Sequence, residues 1–205
     1  MTFFALLTVL FTGLMMGMLH AFDPDHVLTM SSLGSRPDAR NATKRYALSW
    51  GVGHGGILVL AALALLLFEF PMPEALPQSA EKLVGIIMIA AGGSLALALW
   101  RSRDEEMKPL GLREKAPFFI GMVHGTAGSA AVFALLPMAL LSPFMGVVYV
   151  LVFSFGVLVG MMGFGFGFDR LTHMLGHYAK ALDRPVRGVV AAVVMGFGGY
   201  WLVGA

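Results

Sequence analysis

His20-Ala21-Phe22-Asp23-Pro24-Asp25-His26 places two histidines and two carboxylates at the end of an apolar segment that runs back to Thr2. As a continuous helix, with about 100° between residues, the stretch would set His20, Asp23 and His26 on one arc of about 120° and turn Asp25 away. One cation could then touch all three. Pro24 works against continuity, because it has no N–H to give to the carbonyl of His20, four residues earlier. The expected result is a helix broken beside the imidazoles, with the His20 carbonyl left free. At membrane depth such a break is tolerated only where it is buried in protein or lines a cavity.

The rest of the chain sets that depth. Of 205 residues, 58% are hydrophobic and only 13% charged, with a mean hydropathy of +0.80, far too little polar surface for a soluble domain of this length. The chain reads as an all-α integral membrane protein, because its apolar segments are long and lack the alternation of a membrane barrel. A single transmembrane domain, 1–205, is expected. The absence of cysteine excludes disulfides, thiolate metal ligands and dithiol redox chemistry. A net charge of +2 and a pI near 9.1 do not indicate a nucleic-acid partner, since the basic residues fall in short loops beside apolar segments.

Outward from the opening stretch, six spans are expected. The first, Thr2 to Leu19, has neither the basic n-region nor the cleavage site of a secretory signal and is read as retained. Val27 to Leu33 stays semi-apolar, which favours a break within a longer, tilted segment. The others are Tyr46–Phe68, Leu83–Trp100, Ala116–Leu141, Phe144–Phe168 and Gly188–Val203. The intervening loops carry four, one, five, no and four Lys or Arg residues. By the positive-inside rule the odd-numbered loops are cytoplasmic and both termini face outward, in a bacterial-type cytoplasmic membrane.

An internal repeat accompanies this count. Gly17-Met18-Leu19-His20 returns as Gly121-Met122-Val123-His124, and Ser49-Trp50-Gly51-Val52 resembles Ser154-Phe155-Gly156-Val157. The offsets, 104 and 105, divide the chain near residue 105 into two halves of three spans. An odd number of spans inverts one half relative to the other, which predicts a 3+3 inverted repeat with a site near the midplane. Ala127, Ser129 and Ala130 stand where the first half has Asp23, Asp25 and His26. The site would be one-sided.

Ionisable groups inside a membrane cost roughly 2.5–3.5 kcal/mol each on insertion scales and are functional by default. His20, Asp23, Asp25, His26, His54 and His124 are the candidate metal ligands. Imidazole nitrogen and carboxylate oxygen without sulfur suit borderline divalent cations such as Ni²⁺, Co²⁺ or Zn²⁺. The bland alternatives are hydrogen-bonded histidines at a capped helix end, Asp23 or Asp25 as a helix N-cap, and packing roles for His54 and His124 among their glycines. His173 and His177, four apart on an expected amphipathic segment, have the spacing of a shared metal site and equally that of a solvated helix face. The fifteen methionines read as apolar filler.

With those residues the chain resembles the nickel/cobalt transporter superfamily, most closely its compact urease-accessory-type permeases. The opening stretch matches that family's pattern of a histidine, four residues, an aspartate and a histidine on His20, Asp25 and His26. Gly53-His54 matches a second signature, and the run from His124 to Ser129 is similar to the compact branch. Leu19 and Pro24 stand where larger members carry arginine and alanine, and Gly55 and Gly56 follow His54 where a small polar residue is frequent. The resemblance implies a divalent-metal permease, with the ion as substrate, no resident cofactor and no enzymatic activity, and with His20, Asp25 and His26 needed for transport. A second copy of the chain or a metallochaperone is the protein partner it leaves open. Two alternatives stand beside it: a metal-binding accessory or sensor without transport, and a rhomboid-like serine hydrolase using Ser129.

Overall fold

Long runs of Leu, Val, Ala, Phe and Met with few prolines leave the helix as the structure that satisfies every backbone group without water, and the computed structural model is helical throughout its ordered elements. It describes residues 3–34, 42–68, 75–101, 115–127, 142–178 and 180–204. Among these there are seven helices and no strand: α1 (Phe3–His20), α2 (Pro24–Gly34), α3 (Ala42–Phe68), α4 (Ala75–Arg101), α5 (Ala116–Thr126), α6 (Pro143–Tyr178) and α7 (Lys180–Gly204). Five contain segments long and apolar enough to cross a membrane: Phe3–His20, Lys44–Leu65, Ala75–Arg101, Pro143–Met174 and Arg184–Gly204. The fourth expected span is represented by the eleven residues of α5, and its remainder, 128–141 with Ser129, lies outside the described residues.

Several expected loops are helical. The first turn of α3 takes in Lys44 and Arg45, and α4 begins at Ala75 with Pro77 in its opening turn, where a missing N–H costs nothing. The polar segment expected from Asp169 to Arg187 belongs to the end of α6 and the start of α7. Arg184 donates 2.6 Å to the carbonyl of Leu99, supplying one of the partners that the last turn of α4 lacks.

The break at Pro24 is present, but the carbonyl beside it is not free. The helix ends at His20 and restarts with Pro24 at its first position, where proline is pre-shaped for a helix start. The N–H of Asp23 takes the His20 carbonyl at 3.0 Å, a tighter turn that replaces the bond Pro24 cannot make. Past this turn the short α2 packs against α3, α4, α6 and α7.

Four helix pairs build the rest. Parallel pairs are α1 with α6 and α3 with α5; α3 with α6 and α4 with α7 pack antiparallel. The parallel pairs are joined where glycine lets backbones touch. An added Cβ at Gly17 would overlap the Phe153 carbonyl, and one at Gly156 the Leu14 carbonyl; likewise Gly121 meets the Trp50 carbonyl and Gly53 the Phe118 carbonyl. Gly17 and Leu14 thus correspond to Gly121 and Phe118 at an offset of 104, and Trp50 and Gly53 to Phe153 and Gly156 at 103. The Ser-Trp-Gly-Val match at 105 is two residues out of packing register. Side-chain likeness in that segment misleads, because backbone contact selects glycine positions irrespective of their neighbours.

Candidate metal site

The site forms where α1 stops, α2 starts and α3 and α5 pass. His54 stands ten residues, about 15 Å, into the apolar segment that begins at Lys44. His20, His26 and His54 each offer a nitrogen within 4.8 Å of the others, and all three are buried. Nε2 of His26 lies 3.3 Å from Nδ1 of His54. His124 closes the group from α5, with its ring 5.4 Å from that of His26 and an exposure of 1%.

The oxygens sit behind the rings. Nδ1 of His20 is 2.9 Å from Oδ2 of Asp23, Nδ1 of His26 is 3.2 Å from Oδ1 of Asp25, and Nδ1 of His124 donates 2.9 Å to the carbonyl of Ile120. At His26 and His124 the oxygen hydrogen-bonded at Nδ1 favours the tautomer whose proton is there, so the lone pair falls on Nε2. Both ring nitrogens of His20 and the Nε2 atoms of His54 and His124 are buried with no hydrogen-bond partner among the described residues. Unpaired buried nitrogens cost about 1–3 kcal/mol each, whereas lone pairs fixed by an oxygen behind the ring are how metal-binding imidazoles are held.

Each expected residue therefore has a place. Asp25 does not turn away: it is 8% exposed and backs His26, because restarting the helix at Pro24 resets the angular order of the residues after it. Asp23 occupies the position before the first residue of α2, its side chain 33% exposed, at the edge of the cluster. His173 is exposed on α6, thirteen residues or about 20 Å beyond Gly160, and is not brought to the site. The side chain of His177 lies outside the described residues.

Sequence reasoning missed the aromatic wall. Trp50 stacks on His26 at 6.0 Å and meets His124 edge-on at 4.7 Å, and Phe153 lies 5.7 Å from His20. The available signal for Trp50 was its position four residues before His54, on the same helix face. A cavity of about 100 Å³ opens beside the cluster, lined by His20, Asp23, Asp25 and His124 and by Phe197 and Trp201 of α7. It gives the imidazoles an approach from the start of α2.

This geometry agrees with what the chain is related to. It is 30% identical over 171 residues to the urease accessory protein UreH of Bacillus sp. (strain TB-90), covering 78% of this chain and 75% of the relative. The chain belongs to the UreH family, the compact urease-accessory branch of the nickel/cobalt transporters. A more distant match is the chloroplast protein FOR GROWTH AND FERTILITY 1 of Arabidopsis thaliana, 26% identical over 212 residues, which covers 94% of this chain and 58% of that protein's length. No protein-family profile and no solved structure matches. UreH membership and the apolar helices together make the chain a multi-pass membrane protein of an accessory and transport family, not an enzyme family.

Proposed function

We propose that this UreH-family protein is a permease that carries a divalent transition-metal ion, nickel or cobalt before zinc, across a bacterial-type cytoplasmic membrane. The observation that carries the reading is the buried set of His20, His26 and His54, three imidazoles converging where α1 ends, α2 begins and the apolar α3 passes, with Asp23 and Asp25 beside two of them. The ion would exchange water for Nε2 lone pairs, with His54 and His124 contributed from facing helices and the two carboxylates offsetting its charge.

A six-span, 3+3 inverted arrangement fits this reading. Three observations support it, the first two being that the glycine contacts that join α1 to α6 recur between α3 and α5, and that the His20–Phe153 ring contact has its counterpart in His124–Trp50 at the same offsets. A Cβ added at Gly85 or at Gly198 would meet the other's carbonyl at the same 2.7 Å, as residues beside a two-fold axis would. Rocking of the halves about the histidines would expose the ion to each side in turn. Both termini face outward in this arrangement, and a potential of about 100 mV favours inward movement of a divalent ion by about 4.6 kcal/mol.

Flux of Ni²⁺, Co²⁺, Zn²⁺ and Mn²⁺ into proteoliposomes, with His26→Ala as control, tests the proposal. Saturable flux of one or two metals that the variant loses is the expected result. Metal binding without flux would select the accessory role suggested by the relative's description as a urease accessory protein.

A pH series gives a second check. Imidazole must be unprotonated to ligate, so protons compete with the ion and affinity falls as pH drops through the histidine range, with protons released on binding. Calorimetric affinities that stay flat from about pH 8 to about pH 5 would remove the imidazoles from the site.

A further inference from the structure

The short helix α2 carries a second polar feature that the histidine cluster does not use. Thr29 and Ser32 are each 0% exposed, and their hydroxyl oxygens have no hydrogen-bond partner among the described residues. On a helix, Asp25, Thr29 and Ser32 fall within an arc of about 60°, at spacings of four and three residues, and extend about 10 Å from the site toward the end of α2. Leu33 and Met30 lie on the side that packs into the apolar core with Trp50 and Phe153, and Leu28 packs toward Val84 and Met88. A polar line thus runs between two apolar faces.

Two buried hydroxyls without partners are costly in an apolar interior, and valine or alanine would pack there without that cost. Their placement has a use if the line is wet in another conformation. The cavity reaches the histidines from the start of α2, through Asp23, Phe197 and Trp201, while Thr29 and Ser32 continue from Asp25 in the opposite direction and are closed here. The end of α2 also presents helix carbonyls, the end of a helix dipole that favours a cation.

From this geometry we infer that the Asp25–Thr29–Ser32 face of α2 is the second half of the ion path, along which a divalent cation leaving the histidines regains water and hydroxyl ligands. The inference rests on the permease reading. The hydroxyls do not hold the ion in its resting place; they lower the barrier for its departure when the halves rock.

The chain has no cysteine, so single cysteines can be placed in the otherwise unaltered protein. In proteoliposomes transporting Ni²⁺, Thr29→Cys and Ser32→Cys should react with a water-soluble methanethiosulfonate about tenfold faster than Met30→Cys and Leu33→Cys, which are equally buried on the apolar side. Equal rates at all four positions would overturn the path. Thr29→Val, which keeps the shape of the side chain, and Ser32→Ala should each slow maximal flux about tenfold, one hydrogen bond's worth of barrier at 1.36 kcal/mol per decade, without changing calorimetric Ni²⁺ affinity. Unchanged flux, or affinity lost in step with flux, overturns it. Absence of flux in the wild type would remove the permease reading itself; flux in the wild type with unlabelled Thr29→Cys and Ser32→Cys removes the path alone.

Discussion

His26→Ala is expected to weaken Ni²⁺ binding by more than about 100-fold, measured by calorimetry on the detergent-purified protein, and to abolish saturable flux. His26 is the hub of the cluster: its Nε2 faces His54 at 3.3 Å, its Nδ1 faces Asp25, and its ring touches those of His20, His124 and Trp50. Truncating it removes one donor and leaves Asp25 buried without its partner, so two penalties combine. Asp25→Asn removes only the charge behind the ring and should cost about 10–100-fold, the usual effect of losing the group that orients a metal-binding histidine. An affinity within threefold of wild type in His26→Ala would mean that the imidazoles are a packed structural cluster.

The second large effect is expected from glycine. Gly17→Ala would put a methyl group into the Phe153 carbonyl, and Gly121→Ala into the Trp50 carbonyl. Backbone cannot give way as a flexible side chain can, so the paired helices must separate. A cost of about 3 kcal/mol or more is expected at either site, seen as a fall of about 6–12 °C in melting temperature in detergent. Each glycine lies one helical turn before a histidine of the site, so metal affinity should fall as well. Gly56→Ala is the contrasting case: nothing lies within 4 Å of the added carbon, and the helix gains about 1 kcal/mol of propensity. Equal melting temperatures for Gly17→Ala and Gly56→Ala would contradict the close packing of α1 on α6.

The two kinds of residue differ in how far they could be read in advance. His20, Asp25, His26 and His54 were legible because a charged or imidazole side chain in an apolar segment is costly enough to need a reason, whatever surrounds it. Gly17 and Gly121 were visible as a repeated motif, yet Gly53 and Gly156 were set two residues out of register by the more conspicuous tryptophan and phenylalanine. Gly51, Gly53, Gly55 and Gly56 looked alike in the sequence; only their partners separate Gly53, against a backbone, from Gly56, against nothing. Helix ends were also misplaced in the direction of loops, because Lys44, Arg45 and Asp169 are polar without being helix breakers.

Composition, hydropathy and the His20-to-His26 stretch by themselves determined a helical membrane protein with a break at Pro24 and a set of nitrogen and oxygen donors suited to a divalent metal. These follow from transfer energies and from the missing N–H of proline, which act locally. Only the tertiary structure decided which atoms face one another: that Asp25 backs His26, that Trp50 and Phe153 wall the site, that His124 joins it, and that Thr29 and Ser32 are buried on the line leaving it. Those are relations between residues as far apart as His20 and His124, fixed by the close approach of helices at Gly17, Gly53, Gly121 and Gly156, and packing at that distance is set by shape complementarity that no local pattern encodes.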